Sequence, residues 1–295
     1  MKGRTKDKLL FILGGIFLFI LIGLLVFDVT RKGIFSKKTG LNIVVVGNDS
    51  VGVMLLRPEE EMVGWVKMPK GLRIKVYDSE ARYPLESVWR YGVSEKNPYE
   101  IIKRSLGQSM GVVISRVIKI DDSLQVESVL GNILSFGLKT DISVKDRVLI
   151  RKFLVDAVKS KRVLEMSIPE TVFNRVTDPD GEIFLEFNQT MSLWTKNKFV
   201  VEAILNENAN ISINNISGVS GKGTVLANQL ESVGMHIVEL KANTEEVVDG
   251  KGCVYSCEIQ YEETERVLKE HLGCTKISRP DFVENEEKMR VWIKD

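Results

Sequence analysis

The sequence has few residues of the types that most metal sites and nucleophilic enzymes use. It contains only two histidines, His236 and His271, and three cysteines, Cys253, Cys257 and Cys274. Two histidines leave little room for histidine-based catalysis or a multi-histidine metal site. The first 90 residues contain no cysteine, which excludes a lipoprotein-type anchor. Lysine and arginine total 41 against 40 acidic residues, so the basic excess expected of a nucleic-acid-binding protein is absent.

The composition is otherwise ordinary for a protein with a hydrophobic core. Hydrophobic residues make up 44% of the chain and charged residues 27%, without a long repeat or a low-complexity tract. A length of 295 residues indicates two domains, or one domain with a small appendage.

One long apolar run stands near the N-terminus. The 19 residues from Leu9 to Phe27, LLFILGGIFLFILIGLLVF, contain no charge. As a helix they would be about 28 Å long, close to the hydrocarbon thickness of a bilayer. A cleaved signal peptide would have a shorter apolar region followed by small residues, and a core helix would carry polar residues on one face. We therefore predict a basic tail over 1–8, a retained transmembrane helix over 9–28 and a linker over 29–40.

The charges beside this run do not decide its orientation. Four basic residues precede it and four follow it: Lys2, Arg4, Lys6 and Lys8, then Arg31, Lys32, Lys37 and Lys38. Acidic residues count for little in the positive-inside rule, so the two flanks are nearly equal.

Residues 41–205 predict a mixed-sheet α/β domain with flanking helices. β-Rich runs, turn signals and helix caps recur along it, including a capping-box spacing at Ser143 and Asp146. The predicted strands cover 41–46, 51–56, 62–68, 73–77 and 112–120, and the predicted helices cover 98–110, 121–136 and the residues after Ser143. The segment 164–200 is the least legible, and its clear signal is a turn at Thr177 to Gly181.

Residues 206–295 predict a second, small α/β domain, entered through a polar linker at 206–210. Strands and helices alternate along it. The predicted strands cover 211–214, 236–241, 258–261, 276–278 and 290–294, and the predicted helices cover 224–232 and 262–272. The fold class is thus α/β: a transmembrane helix, a mixed-sheet domain and a small C-terminal domain.

The C-terminal segment resembles a known extracytoplasmic module. A strand leads into an Asn-rich Gly-Val-x-Gly turn, and a helix ending in glycine leads into a second strand. The matching residues are Ile213 to Gly223, Leu226 to Leu230, Gly234 to Val238 and Val291 to Asp295. This pattern resembles the LytR C-terminal domain of bacterial cell-envelope proteins, which implies a body outside the cytoplasm.

The preceding segment, about 41–161, resembles the LytR-CpsA-Psr catalytic domain. Val46 to Ser50 stands where that family has Gly-x-Asp-Ser, and Met68 to Gly71 stands where it has Ser-x-Pro-Arg-Asp. Further echoes are Trp89 to Gly92, Tyr99 to Ile102 and Ser105 to Gly107. The resemblance implies transfer of a glycopolymer from a polyprenyl diphosphate carrier to peptidoglycan. In enzymes of that family, arginines hold the diphosphate, and a magnesium ion bound to an aspartate neutralises its charge.

The sequence departs from that pattern where the chemistry needs it. Val51 to Leu55 replaces the expected arginine and acid, and Pro69-Lys70-Gly71 replaces Pro-Arg-Asp. Asp146, Arg147 and Arg151 resemble a later Asp/Arg-rich motif, with a different spacing. A lysine can hold a phosphate as a point charge but does not reproduce the bidentate arginine fork. We therefore predict no catalytic residue, no cofactor and no metal site.

Five residues remain candidate ligand-binding residues. Asp49 is a candidate magnesium ligand, although a turn aspartate bonding its own backbone is the commoner case. Lys70, Arg147 and Arg151 could receive an anionic phosphate, although solvated charges are the commoner case. Lys222 lies in a glycine-rich turn before a helix, where an anion could bind. That turn is not a Walker motif, because Ile216 occupies the position of the first glycine.

The cysteines leave three alternatives open. Cys253, Cys257, Cys274 and His271 could form a zinc site. Either of the first two could form a disulfide with Cys274, and all three could be free thiols. A bond between Cys253 and Cys257 is excluded if they share an extended strand, because their Cα atoms would then lie about 13 Å apart.

The sequence therefore predicts a single-pass, membrane-anchored cell-envelope protein with its N-terminus in the cytoplasm and its body outside. Its expected partners are the bilayer, a glycopolymer or polyprenyl-phosphate lipid, and other envelope proteins, but not nucleic acid. A non-catalytic binding or scaffold role is the leading hypothesis. A diverged glycopolymer phosphotransferase and a cytoplasm-facing regulatory membrane protein are the alternatives.

Overall fold

The computed structural model describes residues 14–15, 23, 33–36, 39–77, 79–196, 198–242, 246–258, 260–278 and 288–294. The predicted transmembrane helix over 9–28 lies outside the described residues, apart from Gly14, Gly15 and Gly23, which are helical. Within the described ranges, no helix is long and apolar enough to cross a membrane.

The described chain is a mixture of strands and short helices. The strands are β1 (Leu41–Val46), β2 (Val51–Arg57), β3 (Met62–Lys67), β4 (Arg73–Lys75), β5 (Arg82–Pro84), β6 (Arg116–Lys119), β7 (Lys139–Thr140), β8 (Val163–Met166), β9 (Phe173–Thr177), β10 (Ile183–Phe187), β11 (Asn210–Asn215), β12 (His236–Ala242), β13 (Cys253–Cys257), β14 (Thr275–Lys276) and β15 (Met289–Ile293). The α-helices are α1 (Leu85–Ser94), α2 (Pro98–Met110), α3 (Val126–Asn132), α4 (Val144–Lys159), α5 (Thr190–Thr195), α6 (Glu202–Glu207), α7 (Lys222–Ser232) and α8 (Glu262–Arg266). A π-helical turn, Val267–His271, continues α8.

The larger sheet is mixed and has the strand order β7-β6-β1-β2-β3-β8. β1, β2 and β3 form an antiparallel meander, while β6 pairs in parallel with β1 and β8 in parallel with β3. Every residue of β1 and β2 is buried, as expected of central strands covered on both faces. The predicted mixed sheet with flanking helices is confirmed.

Alternate residues of β1 supply two separate cores. Val44 and Val46 face a cluster that includes Ile102 and Leu106 of α2. Ile43 and Val45 face the opposite cluster, which contains Ile150 and Leu154 of α4. Side chains of a strand alternate between the two faces of its sheet, so one strand can anchor helices on both sides.

The second sheet has five strands in the order β12-β11-β15-β13-β14. β11, α7 and β12 form a parallel crossover unit, and β13 returns antiparallel to β15. The predicted linker 206–210 spans the end of α6 and the start of β11. Val201 and Ile204 precede that linker but share a core cluster with Ile211 of β11. A domain division near residue 205 stays a prediction.

Several predicted elements were wrong in extent or place. The strand predicted over 258–261 is β13, which lies five residues earlier, because the chain leaves the sheet to cap α8 at Tyr261. The helix predicted over 121–136 is the shorter α3, since Asp121 and Asp122 lie in a bend. Helix α1, strand β8 and the β9–β10 hairpin were not predicted.

Candidate functional site

The strongest candidate for a site lies at one edge of the larger sheet. β1, β3, β6 and β8 all run in the same direction, so their carboxyl ends meet at that edge. In open α/β sheets, ligands bind outside the carboxyl ends of the strands. The segments that follow β3, β6 and β8 enclose an open groove there, with a volume of about 670 Å³.

The groove is lined by apolar and polar residues in about equal measure. Its charged lining residues are Lys67, Lys70 and Glu165. The remaining lining residues are mostly apolar or small: Trp65, Met68, Pro69, Ser123, Leu124, Gln125, Met166, Ser167, Ile168 and Phe173. The volume lies in the 300–1,000 Å³ range of small-molecule sites. Apolar surface beside charged and polar groups suits an amphiphilic ligand.

Two glycines set the local shape of the groove. Gly52 pairs with Lys67, and a Cβ there would lie 3.2 Å from Leu124 Cδ2 and 3.4 Å from Trp65. The missing side chain therefore lets these two lining residues approach the sheet. Gly71 follows Lys70 with a φ of 72°, a left-handed conformation that strains other residues. Gly71, which stands where the resembling family pattern has aspartate, thus serves the turn after Lys70.

Of the predicted ligand residues, only Lys70 lines this groove among the described residues. Asp49 lies exposed in the turn between β1 and β2, at the same edge of the sheet. In that turn the Gly47 N–H donates to Ser50 O over 2.8 Å. The neighbouring Asn48 accepts a hydrogen bond from Lys119 Nζ at 3.1 Å. This geometry is that of a tight strand-connecting turn.

Arg147 and Arg151 lie away from the groove on α4. Arg147 Nη1 donates to Ile133 O over 3.4 Å, and Arg151 is exposed. The adjacent Asp146 is buried, and its backbone N–H donates to Ser143 Oγ at 3.1 Å. The predicted helix cap at Ser143 is therefore confirmed, and the Asp146 carboxylate serves the packing of the chain described below.

Lys222 begins α7 beside the glycine-rich turn. Gly218 and Gly221 have φ values of 72° and 84° there, and Asn215 Nδ2 donates to Val219 O over 2.8 Å. These glycines, and the hydrogen bond that the Asn215 side chain donates, stabilise the turn itself. The structure thus distributes the five candidates over four places instead of one site.

The sequence interpretation missed Lys67 and Glu165, as well as the apolar lining of the groove. Lys67 ends a buried strand and Glu165 lies in a strand that was not predicted. A charged residue at the carboxyl end of a strand could have identified Lys67. No local pattern indicates that β8 pairs with β3, which brings Glu165 to the groove.

The cysteines form one disulfide and leave one thiol. Cys253 is bonded to Cys274, and Cys257 is free. This pairing is incompatible with a zinc site that uses both bonded cysteines. Burial raises the pKa of the Cys257 thiol, which donates to Glu265 Oε1 over 3.3 Å. A thiol with a raised pKa is a poor nucleophile, so this residue reads as structural.

Glu265 organises the end of β13. Its Oε2 accepts hydrogen bonds from Tyr255 Oη at 3.1 Å and from Lys276 Nζ at 2.8 Å. Burial first, and then the Glu265 charge, raise the pKa of Tyr255 to about 12.

Among the described residues, no group of three or more acidic, histidine or cysteine side chains is arranged to hold a metal ion.

Comparisons with known proteins yield only distant structural matches. No protein-family profile matches the sequence, and no curated protein matches it significantly. TagV of Bacillus subtilis matches with a TM-score of 0.41 and 10% identity, over 53% of this chain and 94% of TagV. TagT bound to LI-WTA matches with a TM-score of 0.41 and 10% identity, over 55% of this chain and 90% of TagT. TagT of the LytR-CPS2A-psr family, with bound octaprenyl pyrophosphate lipid, matches with a TM-score of 0.38 and 10% identity, over 55% and 89%.

These structures belong to the family that the residues of 41–161 resemble. At TM-scores below 0.5 and about 10% identity, these matches establish neither a family nor a function for this chain. The resemblance of the C-terminal segment to the LytR C-terminal domain stays a prediction.

Proposed function

We propose that the chain is a membrane-anchored cell-envelope protein that binds the phosphate end of a polyprenyl-linked glycopolymer, or of its lipid carrier, without turning it over. The observation that carries this proposal is the open groove of about 670 Å³ at the carboxyl edge of the larger sheet. Its apolar lining suits an isoprenoid chain, and its two lysines suit a phosphate group.

Both halves of such a ligand would find a favourable partner. Each buried CH₂ group contributes roughly 0.8 kcal/mol, so a few isoprene units against Trp65, Met166 and Phe173 would supply most of the affinity. Lys67 and Lys70 supply point charges for a phosphate or diphosphate. The open groove leaves room for a polymer to extend into solvent.

The same lining argues against turnover. Phosphoryl transfer requires preorganised charge around the transition state, which is usually the largest catalytic contribution. Among the described residues that line the groove, the cations are lysines and the only carboxylate is Glu165. Gly71 occupies the position of the second carboxylate in the family pattern. The groove therefore supports binding more directly than it supports the phosphotransferase alternative.

The disulfide supports a body outside the cytoplasm. Disulfides persist in oxidising compartments and are rare where glutathione and thioredoxin keep thiols reduced. Cys253 and Cys274 are bonded, although the charges beside the apolar run leave the orientation open. The proposal therefore puts the N-terminus in the cytoplasm, and a cytoplasm-facing body gains no support from the described residues.

The groove is tested with farnesyl diphosphate, a soluble probe that carries both an isoprenoid chain and a diphosphate. Calorimetric titration of the full chain in nanodiscs, with empty nanodiscs as the blank, should show binding. The double variant Lys67→Glu/Lys70→Glu should weaken that binding by about tenfold or more, because two attractive charges become repulsive. Farnesol, which lacks the charge, should bind both forms equally. Lys269→Glu, an exposed lysine on the π-helical turn, is the matched control and should change nothing.

Two results would overturn the proposal. Equal affinity of wild type and the double variant for farnesyl diphosphate would show that the phosphate does not contact the groove lysines. Magnesium-dependent phosphate release that the double variant abolishes would establish the phosphotransferase alternative. Asp49→Ala separates the two hypotheses further. It should leave binding unchanged in a non-catalytic protein, and it should abolish magnesium-dependent turnover if Asp49 is a magnesium ligand.

A further inference from the structure

The segment that follows the predicted transmembrane helix is fixed to the first turn of α4. The N–H groups of Ile34 and Phe35 donate to Asp146 Oδ1 over 3.1 and 3.2 Å. The Phe35 ring packs against Phe153 with a centroid distance of 5.7 Å. These contacts fix Ile34 and Phe35, which follow the apolar run in sequence, against α4.

The remaining distance to the apolar run is short. Phe27 ends the run and Gly33 begins the fixed segment. Six Cα-to-Cα steps span at most about 22 Å even when fully extended. If the run crosses a bilayer, the first turns of α4 must lie within that distance of the bilayer surface.

Three large apolar side chains are exposed to solvent on and beside the first turns of α4. Leu134 is 46% exposed, Val148 is 51% exposed and the Phe136 side chain is fully exposed. The bond between Arg147 and Ile133 O holds the 134–136 loop beside the first turns of α4. We call Leu134, Phe136 and Val148 the apolar patch. Such side chains, together on a surface and close to a membrane anchor, indicate an interaction site.

Positive charges border the apolar patch. At 100° per residue, Arg151 falls between Arg147 and Val148 on the outer side of α4. Lys145 lies on the anchor side, with its Cε 3.6 Å from the position of a Cβ on Gly33. The one acid in the first two turns of α4, Asp146, is buried, so the exposed charges there are all basic. Exposed apolar side chains flanked by Lys and Arg suit the boundary between anionic lipid headgroups and acyl chains.

We propose that the apolar patch rests in the headgroup layer of the bilayer that holds the anchor, with Lys145, Arg147 and Arg151 on the phosphates of anionic lipids. The inference rests on the membrane anchoring in the proposed function, but not on the groove. Charge complementarity and the short tether both favour a lipid surface over a protein partner. The patch would hold the body at a fixed height and orientation above the membrane.

Photocrosslinking in nanodiscs tests this inference on the full chain. A genetically encoded diazirine residue replaces Phe136, and lipid adducts are counted by mass spectrometry. The control position is Ile183, which is 67% exposed and belongs to the hairpin on the opposite face of the larger sheet. With phosphatidylglycerol, position 136 should give at least fivefold more lipid adducts than position 183.

A charge reversal tests the role of the basic side chains and leaves the bond from Arg147 to Ile133 O intact. Lys145→Glu/Arg151→Glu, at two exposed positions of α4, should reduce the adducts at position 136 at least twofold with phosphatidylglycerol, and should have little effect with phosphatidylcholine. Arg175→Glu, an exposed arginine of β9, is the matched control and should leave the yield unchanged.

Equal lipid labelling at positions 136 and 183 would overturn the proposal. An adduct yield at position 136 that stays unchanged in the double charge-reversal variant with phosphatidylglycerol would also overturn it. Binding of farnesyl diphosphate is measured on the same variant, because it depends on the groove. Labelling without such binding contradicts only the groove, and binding without labelling contradicts only the patch.

Discussion

At the scale of single residues, His271 is a buried titratable group that lies among cations. It is buried, Arg266 Nη1 lies 3.5 Å from its Nε2, and its Nδ1 has no hydrogen-bond partner. Burial lowers its pKa well below 6.5, and the nearby cations Arg266, Arg116, Lys103 and Arg104 lower it further. Glu100, Asp141 and Glu263 pair with three of these cations but not with the imidazole.

This arrangement predicts a stability that falls as the solution becomes acidic. The unfolded chain binds a proton at His271 near pH 6.5, whereas the folded chain does not, so the stabilisation is present above that pH and is lost below it. The loss is at most about 1.4 kcal/mol per pH unit. Urea unfolding in detergent micelles between pH 7.5 and 5.5 measures it. His271→Gln should flatten this dependence.

His236→Gln is the control, because it removes the other histidine of the sequence at an exposed position. An unchanged pH dependence in His271→Gln would contradict the account. A variant that no longer folds would not decide the matter, so His271→Asn is tested as well.

At the scale of secondary-structure elements, the sequence predicts what is encoded locally. The strands β1, β2 and β3 were predicted because their apolar runs are interrupted by strong turn signals. Helix α2 was predicted from Pro98 at its first position, and it ends at Gly111 with a φ of 67°. Asn97, however, makes no side-chain capping bond.

The groove could not be predicted in the same way. Its lining residues Lys67, Ser123 and Glu165 follow or belong to three strands that are far apart in sequence. Their proximity depends on the order of strands in the larger sheet, which is a long-range property. Lys70 was found only because it stands within a family-like motif.

The disulfide between Cys253 and Cys274 gives a prediction about the compartment in which the body of the protein lies. The bond joins β13 to the residue before β14, and the same strand carries free Cys257 at its other end. In chains trapped with acid from intact cells and then alkylated, Cys257 should be modified and the other two should not. Cys257 is thus an internal control for access of the reagent.

All three cysteines alkylated in cells would contradict a body outside the cytoplasm. A version that lacks residues 1–40, and so stays in the cytoplasm, should show that pattern. The comparison separates the location of the chain from the intrinsic tendency of the pair to oxidise.

At the scale of the whole molecule, the two sheets share contacts that the predicted boundary at residue 205 would cut. Gln229 Nε2 donates to Val112 O over 3.1 Å, across the two parts. Val201 and Ile204 are buried in the cluster around the second sheet. Helix α6 itself crosses the predicted boundary: its last residue, Glu207, accepts the N–H groups of Glu263 and Thr264 at 2.7 and 2.8 Å and so caps α8.

Fragments that differ only in this short helix test how independent the C-terminal part is. A fragment of residues 201–295 keeps Val201, Ile204 and Glu207, whereas 208–295 loses all three. Burying one such aliphatic side chain is worth about 1.5–3 kcal/mol, and a remote helix cap adds about 1 kcal/mol. The shorter fragment should therefore be less stable by roughly 4–7 kcal/mol, a large part of the 5–15 kcal/mol of an ordinary domain.

Thermal unfolding followed by circular dichroism distinguishes the outcomes. The longer fragment should melt cooperatively, and the shorter one should melt at a much lower temperature or without a clear transition. Glu207→Gln in the longer fragment isolates the cap, and Glu202→Gln, an exposed carboxylate of the same helix, is its control. If 208–295 melts as cooperatively and at the same temperature as 201–295, α6 belongs to the preceding part of the chain and the predicted boundary is the physical one.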